Sequence, residues 1–319
     1  MPQSSTAQPQ FQPIPSRRFG SYRIVRRLGE GGMAVVFLAE AVDERGNLLP
    51  VALKFMKPRI GCGEVDASDL FATEADVMGL LRHPSLVNLY EVGKHTETFY
   101  FAMEYCPGGD LEALLTALDW QQRSFPPSVA LQIGIQLLEA LAYVHQAQGV
   151  RGTSLGLVHG DVNPANVFLS FTENRPKLGD FGVVSSTALG GGLPEGMAAG
   201  KLHYLSPEQA LGKPLTPQSD LFSVGVLMFQ LLLGQRPFDG PDTDTILGKI
   251  VSGRFDLPSG VSSGLAAIFE KALAKNPKNR YPTAGAFAGD LLRYQLDSGM
   301  QVLPRALREL CEEALQILT

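Results

Sequence analysis

Cysteine is scarce in this chain of 319 residues, and its three cysteines, Cys62, Cys106 and Cys311, are scattered. An odd number without regular spacing excludes a disulfide framework, and no pair has the separation that zinc motifs use. This pattern is typical of a protein kept in a reducing compartment, so we expect a cytoplasmic location.

The sequence also lacks long runs of basic residues and long runs of apolar residues. Lysine and arginine do not cluster and the net charge is −5, so neither nucleic acid nor an anionic membrane surface is an expected partner. The longest apolar run, Leu221 to Gly234, is shorter than a bilayer-spanning helix, which predicts no membrane insertion. Nothing in the composition indicates an oligomeric state.

The first 20 residues are rich in proline, glutamine and serine and have no apolar segment of the kind that signal peptides carry. Such a composition offers too little apolar surface for a folded core. Residues 1–20 are therefore predicted to form a disordered tail.

Two regions with different hydrophobic periodicity follow the tail. Residues 21–104 contain alternating segments such as YRIVRRLG and AVVFLAEAV, which predict strands, and one helical pattern around residues 70–81. Residues 105–296 have apolar residues at three- and four-residue spacing, which predicts a mainly helical region. The same spacing in residues 297–319 predicts a helical extension, either a cap on this region or a docking helix. The expected fold class is α+β, with a small β-rich lobe before a larger helical lobe.

The segment LGEGGMAVVF places glycines between two predicted strands. Gly29, Gly31 and Val36 fit the spacing G-x-G-x-x-G-x-V, with Ala34 at the third glycine position. A Rossmann loop would open a helix, whereas this loop lies between strands. Its backbone amides can approach phosphate groups because no side chain blocks them. Glycine-rich turns between strands are common, so this motif alone does not indicate phosphate binding. The motifs further along the chain are needed to support that interpretation.

Lys54 lies in the predicted strand segment VALK, and Glu74 follows on the predicted helix. A lysine held by a glutamate of a neighbouring helix can be positioned on the phosphates of a nucleotide. Each residue alone is equally consistent with an exposed charge. The order of glycine loop, lysine and glutamate favours the phosphate-binding interpretation.

Two further segments, HGDVNPANV and LGDFGVV, contribute Asp161, Asn166 and Asp180. A carboxylate can orient and deprotonate an attacking hydroxyl, and the oxygens of an asparagine and a second carboxylate suit Mg²⁺. We therefore interpret Asp161 as a catalytic base, and Asn166 and Asp180 as metal ligands. His159 is expected to belong to the core rather than to the chemistry.

The order and spacing of these motifs resemble the eukaryotic-type Ser/Thr protein kinase family, which has bacterial members. The resemblance covers residues 22–293 and extends beyond the nucleotide motifs. SPEQ, which contains Glu208, resembles the family's A-P-E motif, and SDLFSVG carries Asp220 at the position of its central-helix aspartate. Arg280 matches the arginine that pairs with the A-P-E glutamate in that family.

The resemblance implies a bilobal kinase that uses ATP and Mg²⁺ and phosphorylates hydroxyl groups of protein substrates. It implies an adenine-binding hinge from Glu104 to Cys106, a gatekeeper at Met103 and a ribose contact at Asp110. Lys54 would orient the phosphates for attack at the base Asp161. The residues expected to enclose the nucleotide are Leu28, Gly29, Gly31, Val36, Ala52, Lys54, Glu74, Met103, Glu104, Cys106, Asp110 and Phe168.

The chain departs from the family in its catalytic segments. The loop H-R-D-L-x-x-x-N usually has a lysine two residues after its aspartate, where this chain has Asn163, and Gly160 replaces the arginine. The family also has G-T-x-x-Y before A-P-E, where this chain has GKLHY, with Lys201 in the threonine position. We infer an exchange, in which Lys201 brings an ammonium group back beside Asp161 as a further catalytic residue. The alternative is that Lys201 is an exposed loop charge.

Three alternatives concern the activity itself. HGD followed by Asn also occurs in small-molecule phosphotransferases of the aminoglycoside and choline kinase type, although SPEQ, SDLFSVG and Arg280 favour a protein substrate. A pseudokinase that binds nucleotide without transfer would explain the missing lysine at Asn163. Tyrosine specificity is the third alternative. Ser/Thr specificity is expected because the catalytic loop lacks the A-A-R run of tyrosine kinases and because SPEQ is typical of the Ser/Thr type.

Overall fold

The computed structural model of the protein describes residues 18–32, 34–42, 45–57, 75, 78–95, 98–149, 152–180 and 199–315. The chain divides into two compact units. The first comprises the residues up to Gly79 together with Asn88–Tyr105, and the second comprises Leu80–Val87 and Cys106–Thr319. Residues 80–87 therefore belong by their contacts to the second unit, although in sequence they lie within the region 21–104.

The first unit contains an antiparallel sheet, which in the described residues has the strand order β1-β2-β3-β4-β6-β5. Its strands form where the sequence alternates between apolar and polar residues. They are β1 (Arg18–Phe19), β2 (Tyr22–Glu30), β3 (Ala34–Val42), β4 (Leu48–Met56), β5 (Leu89–His95) and β6 (Thr98–Glu104).

One face of this sheet carries the core of the first unit. Because side chains alternate along a strand, Phe37 on β3, Leu53 and Phe55 on β4 and Ala102 on β6 share that face. All four are buried, and Phe19 packs edge-on against Phe55 with ring centroids 4.7 Å apart. Burial on one face fixes the strand register, since a slip of one residue would turn every core side chain to the opposite face.

The second unit is mainly helical, as the spacing of its apolar residues predicts. Several helices begin at a side chain that accepts a hydrogen bond from a first-turn amide, for example Asp242 from Thr245 N at 2.7 Å. The helices are α1 (Leu111–Trp120), α2 (Pro127–His145), α3 (Pro207–Ala210), α4 (Pro217–Leu233), α5 (Thr243–Ser252), α6 (Ser263–Ala272), α7 (Ala284–Asp297) and α8 (Ala306–Leu315), with short 3-10 turns at Pro164–Asn166, Ala199–Tyr204 and Pro277–Asn279.

Helices α2 and α4 provide much of the core of the second unit. Most side chains of α4 are buried, including Leu221–Phe229 of the apolar run. Of the helices in the described part of the chain, α2 alone is long and apolar enough to cross a membrane, and most of its apolar stretch is buried inside the protein. Such burial is what the core helix of a folded domain shows.

Strands β7 (Val167–Ser170) and β8 (Arg175–Leu178) form a two-stranded antiparallel sheet in the second unit. The segment before β5 extends it, since Leu178 N donates to Ser85 O at 2.9 Å and Val87 N donates to Leu178 O at 3.0 Å. The sheet positions the site, because the segment of Asp161 leads into β7 and Asp180 follows β8.

Helix α8 lies where the apolar spacing of residues 297–319 predicts a helix. Its buried side chains are Leu307, Leu310, Cys311 and Ala314. Gln121, which follows α1, donates from Nε2 to Ala314 O at 3.1 Å. These contacts favour a cap over a docking helix. Burial raises the pKa of the Cys311 thiol to about 12, so this thiol is protonated at neutral pH.

Candidate active site

Four predicted nucleotide-binding residues of the first unit, Val36, Ala52, Lys54 and Met103, lie on the sheet face opposite its core. Cross-strand pairing sets Val36 opposite Lys54 and Ala52 opposite Met103. Since residues two apart on a strand share a face, these four side chains lie on one side of the sheet. Gly29 pairs with Val36 and extends the row to the glycine turn. Val36, Ala52 and Lys54 are only partly buried.

The glycine turn and the predicted hinge are both held by backbone hydrogen bonds. Gly31 lies in the turn between β2 and β3, where its N–H donates to Ala34 O at 2.9 Å, and Leu28 lies on β2 just before it. Glu104 ends β6. Its N–H donates to Asn88 O at 2.9 Å and its carboxylate accepts from Asn88 Nδ2 at 2.7 Å. The Glu104 side chain is thus oriented by its own unit.

Asp161 is the centre of a hydrogen-bonded cluster in the second unit. Asn163 Nδ2 donates to Asp161 Oδ1 at 2.7 Å, and Asn166 Nδ2 donates to Asp161 Oδ2 at 2.8 Å. Both amides also donate to the backbone oxygen of Asp161, at 2.9 Å and 2.8 Å. Asn163 and Asn166 are buried, so their amides hold the carboxylate in one orientation.

Lys201 completes this cluster. Its Nζ lies 2.7 Å from Oδ2 of Asp161, and the two side chains are 33 % and 31 % exposed. The structure therefore brings Lys201 beside Asp161, the position that the inferred exchange with Asn163 requires. The ion pair brings one positive charge to the predicted base.

The backbone before Asp161 is held by the buried carboxylate of Asp220 on α4. Asp220 Oδ2 accepts from His159 N and Oδ1 accepts from Gly160 N, both at 2.8 Å. His145 Nε2 also lies 2.8 Å from Asp220 Oδ2. Gly160 has a φ of +75°, a left-handed conformation that glycine adopts without strain because it has no Cβ. A glycine at this position therefore suits the backbone that Asp220 holds.

His159 lies in the core, as expected, with no exposed surface. Its Nδ1 accepts from Asp161 N at 3.3 Å, so Nε2 is the nitrogen that donates to Gly179 O at 3.1 Å. Burial lowers the pKa of His159, although the charges of Asp220 and Asp161 act in the opposite direction. The ring is therefore neutral at pH 7, with both nitrogens bonded to the backbone.

The predicted metal ligands Asn166 and Asp180 are connected through the backbone. Gly179 N donates to Asn166 O at 3.0 Å, and Asp180 comes next with a φ of +53°. That conformation is uncommon for a residue with a side chain and is found at functional positions. An amide oxygen and a carboxylate suit Mg²⁺, which keeps several waters and needs few protein ligands. In the described part of the chain, no group of three or more His, Cys, Asp or Glu side chains is arranged to hold a metal ion.

The remaining predicted residues lie in several places. Asp110 caps α1, where its Oδ1 accepts from Ala113 N at 2.8 Å, and burial raises the pKa of its carboxyl despite this bond. Phe168 lies half-buried on β7, and Cys106 is buried. Glu74, the predicted partner of Lys54, lies outside the described residues.

Glu208 and Arg280 form the buried bidentate ion pair that the family resemblance implies. Arg280 NH1 donates to Oε1 at 2.7 Å and NH2 donates to Oε2 at 2.9 Å. Arg280 also donates to Ala274 O and Gln218 O, and Ser219 Oγ donates to Glu208 Oε1 at 2.6 Å. Burial alone raises the pKa of Glu208, but the hydrogen bonds from Arg280 and Ser219 and the Arg280 charge hold it below its ordinary value.

Arg280→Met is expected to lower the free energy of unfolding by about 3–5 kcal/mol, because it leaves the Glu208 carboxylate buried without its partner. Chemical denaturation at pH 7 measures the change. Arg293→Met is the matched control, since Arg293 forms an exposed pair with Asp290, and should change stability by less than about 1 kcal/mol. Equal effects of the two substitutions would contradict a structural role for the buried pair.

The Glu208–Arg280 pair also predicts how the stability of the fold depends on pH. Because the pKa of Glu208 is lower in the folded chain, the pair stabilises the fold fully above the unfolded-state value of about 4.3. That contribution is lost as the pH falls through the folded-state pKa. Glu208→Gln should therefore lose less stability between pH 5 and pH 3 than the parent does, which denaturation at each pH will show.

Two contacts of the Asp161 loop have no counterpart in the sequence-based predictions. Asn163 was predicted only as the position of a missing lysine, yet its amide holds Asp161 directly. Gln209 Nε2 donates to Gly160 O at 2.7 Å. A short polar side chain that bonds its own backbone nearby is a common turn feature, which could have signalled the role of Asn163. The Gln209 contact joins distant parts of the chain and has no local signal.

A carboxylate that two amides hold in one orientation suits the catalytic base of a phosphotransferase of the kinase class. Residues 22–291 match the family model described as protein kinase domain. The chain therefore belongs to the protein kinase family, whose members transfer phosphate from ATP to proteins. The α+β kinase fold expected from the sequence is confirmed.

Several characterised kinases are similar to this chain. Serine/threonine-protein kinase PrkC of Bacillus subtilis is 33 % identical over 87 % of this chain and 41 % of its own length. Serine/threonine-protein kinase PksC of Streptomyces coelicolor is 35 % identical over 86 % of this chain and 49 % of its own length. Tyrosine-protein kinase MasK of Myxococcus xanthus is 32 % identical over 86 % of this chain and 43 % of its own length. The chain thus spans less than half the length of these relatives.

Proposed function

We propose that this chain is an ATP- and Mg²⁺-dependent protein kinase that phosphorylates serine or threonine hydroxyls of protein substrates. The observation that carries the proposal is the Asp161 carboxylate, which two buried amides and the Lys201 ammonium hold in place. Membership of the protein kinase family supports it.

In this proposal Asp161 accepts the proton of the attacking hydroxyl as the new oxygen–phosphorus bond forms, while the bond from the γ-phosphorus to the bridging oxygen of ATP breaks and ADP leaves. The bonds from Asn163 and Asn166 fix the direction of its carboxylate, so the base needs no reorientation during the reaction. Lys201 supplies a positive charge next to the base. In the family, the catalytic-loop lysine, which is Asn163 here, supplies that charge.

ATP with Mg²⁺, when bound, supplies the phosphoryl group and neutralises part of its charge. In this proposal Asn166 and Asp180 hold the metal through oxygen atoms, and Lys54, paired with Glu74, holds the phosphates. Gly29 and Gly31 leave room for the phosphates to approach the backbone. The residues proposed around adenine and ribose are Leu28, Val36, Ala52, Met103, Glu104, Cys106, Asp110 and Phe168.

Ser/Thr specificity is the finer part of the proposal. The SPEQ segment supports it, and so do the printed names of PrkC and PksC. MasK, at a similar identity, is named a tyrosine-protein kinase, which supports the alternative. We favour Ser/Thr because the catalytic loop HGDVNPAN lacks the A-A-R run of tyrosine kinases.

Incubation of the purified chain with labelled ATP, Mg²⁺, generic proteins and small acceptors tests the proposal. The expected result is label on serine or threonine of a protein, as phosphoamino-acid analysis shows. Label on tyrosine alone would overturn the specificity. Label only in an aminoglycoside or choline would support a small-molecule phosphotransferase. Nucleotide binding without transfer would support a pseudokinase, for which Asn163 is the specific argument.

We further propose that the enzyme acts in the cytoplasm on protein partners and not on nucleic acid. The scattered cysteines and the net charge of −5 without a basic run support this. The proposed kinase lobes are residues 21–104 and 105–296, with residues 297–319 as an extension of the second.

A further inference from the structure

Gln209 joins two segments of the site that are far apart in sequence. It lies on α3, in a capping box with Ser206: Ser206 N donates to Gln209 Oε1 at 2.9 Å, and Gln209 N donates to Ser206 Oγ at 3.4 Å. A capping box uses only the side-chain oxygen at this position, so glutamate and glutamine serve it equally. The amide nitrogen of Gln209 is therefore not required by the cap.

That nitrogen makes a second bond. Gln209 Nε2 donates to Gly160 O at 2.7 Å, at the short end of the ordinary range for N–H···O bonds. A carboxylate in the same place could not donate and would face the carbonyl oxygen with a negative charge. The chemistry of this contact therefore requires an amide, whereas the chemistry of the cap does not.

Gly160 is the residue immediately before the proposed base. Its N–H is bound by Asp220 at 2.8 Å and its C=O by Gln209, so both of its peptide groups are held from outside the loop. Glycine has the widest choice of backbone conformations, and the left-handed φ of +75° here is one of several that it can adopt. The direction of the peptide that leads to Asp161 therefore depends on these two contacts.

Through its bonds with Ser206, Gln209 also contacts the segment that precedes α3. This segment, Lys201–Ser206, is buried from Leu202 onward, and its first residue pairs with Asp161. Tyr204 O accepts from Ser223 Oγ on α4 at 2.7 Å, which anchors the segment to the core. The segment Lys201–Ser206 is therefore joined to the Asp161 loop at both ends. Lys201 pairs with Asp161 directly, and Ser206 is joined through Gln209, which also binds Gly160.

We propose that Gln209 is a positioning residue, which fixes the peptide before Asp161 and ties it to the segment Lys201–Ser206. The inference rests on the proposed kinase activity. Gln209 does not touch the reacting atoms in this proposal. It sets the direction of the base, and errors of about 1 Å in such placement lower rates by as much as 10²-fold.

Gln209→Glu tests the inference because it keeps the cap, removes the donor and sets a negative charge against Gly160 O. At pH 8 its kcat should be about ten- to a hundredfold below that of the parent, with the KM for ATP nearly unchanged. Its free energy of unfolding should stay near the parental value, so the loss of rate reports placement of the base and not loss of the fold.

Gln218→Glu is the matched control. Gln218 Nε2 donates to Pro282 O at 3.0 Å on the exposed surface of the same unit, so this change removes a similar bond away from the site. It should leave kcat and the KM for ATP unchanged. If Gln209→Glu has the parental kcat, or loses kcat and ATP affinity together, the inference is wrong.

Hydrogen exchange gives a readout that does not depend on activity. Gln209→Leu should speed exchange of the amides in residues 159–163, whereas Gln218→Leu should not. If the parent transfers no phosphate, the proposed function fails, and this measurement still decides the inference. If Gln209→Glu does not fold, Gln209→Leu takes its place in the kinetic test as well. Unchanged exchange in residues 159–163 would overturn the proposed tie.

Discussion

Asp161→Asn is expected to lower the rate of phosphoryl transfer by about 10²–10⁴-fold, the scale of losing a general base. The new amide has the size of the carboxylate, and its oxygen can still accept from Asn166 or Lys201, so the loop should keep its shape. Affinity for ATP should be nearly unchanged, because the base acts on the hydroxyl of the substrate. Transfer of label from ATP and calorimetric nucleotide binding measure the two effects separately.

Two further variants make this result specific. Asp256→Asn removes an exposed carboxylate from the same unit and should affect neither transfer nor binding. Asp180→Asn should weaken Mg²⁺-dependent nucleotide binding as well as transfer, since Asp180 is a proposed metal ligand. A parental rate of transfer in Asp161→Asn would exclude Asp161 as the base.

Lys201→Thr is expected to lower the transfer rate by roughly ten- to a thousandfold, the scale of losing one charge contact in the transition state. It removes the ammonium that lies 2.7 Å from Asp161. Asn163→Lys alone should not raise the rate, because it adds a second cation and removes the Asn163 amide that holds Oδ1. The double change restores the arrangement usual in the family and should recover much of the rate lost in Lys201→Thr.

The four enzymes form a double-mutant cycle that measures the coupling between the two positions. Lys213→Thr removes an exposed lysine of the same unit and serves as the control for Lys201→Thr. If the effects of Asn163→Lys and Lys201→Thr on the free energy of activation are additive, the two positions act independently. Lys201 would then not replace the lysine that is missing at Asn163. A Lys201→Thr enzyme as fast as the parent would show that Lys201 is a loop charge without a catalytic role.

Elements with long regular patterns could be predicted from the sequence. Helices α2 and α4 appear as apolar residues at three- and four-residue spacing, and the strands of the first unit appear as alternation. Helix α5 lacks such a long pattern, because it is short and buries only Ile246 and Ile250. Asp242 before it and Gly253 after it are ordinary boundary signals that could have identified it.

The candidate site could be predicted in part for the same reason. Fixed motif spacing put Asp161 and Asn166 together, and two departures from the motifs pointed to the contact between Lys201 and Asp161. The bonds that hold the loop from Asp220 and Gln209 depend on how α4 and α3 pack, and one sequence carries no pattern for that packing.

Residues 80–87 bear on how the protein can be made and divided. The chain passes from one unit to the other after Gly79, after Val87 and after Tyr105, so a cut at residue 105 does not separate two independent pieces. A fragment ending there would carry Leu86 and Val87, which are buried, without Leu178, to which this segment is hydrogen-bonded. On the ribosome, at about 5–20 residues per second, this segment stays unpaired until Leu178 has emerged. Separate expression of the chain up to residue 105 should therefore yield a poorly soluble fragment that aggregates. In the nascent chain, the same apolar segment is exposed to aggregation until Leu178 emerges.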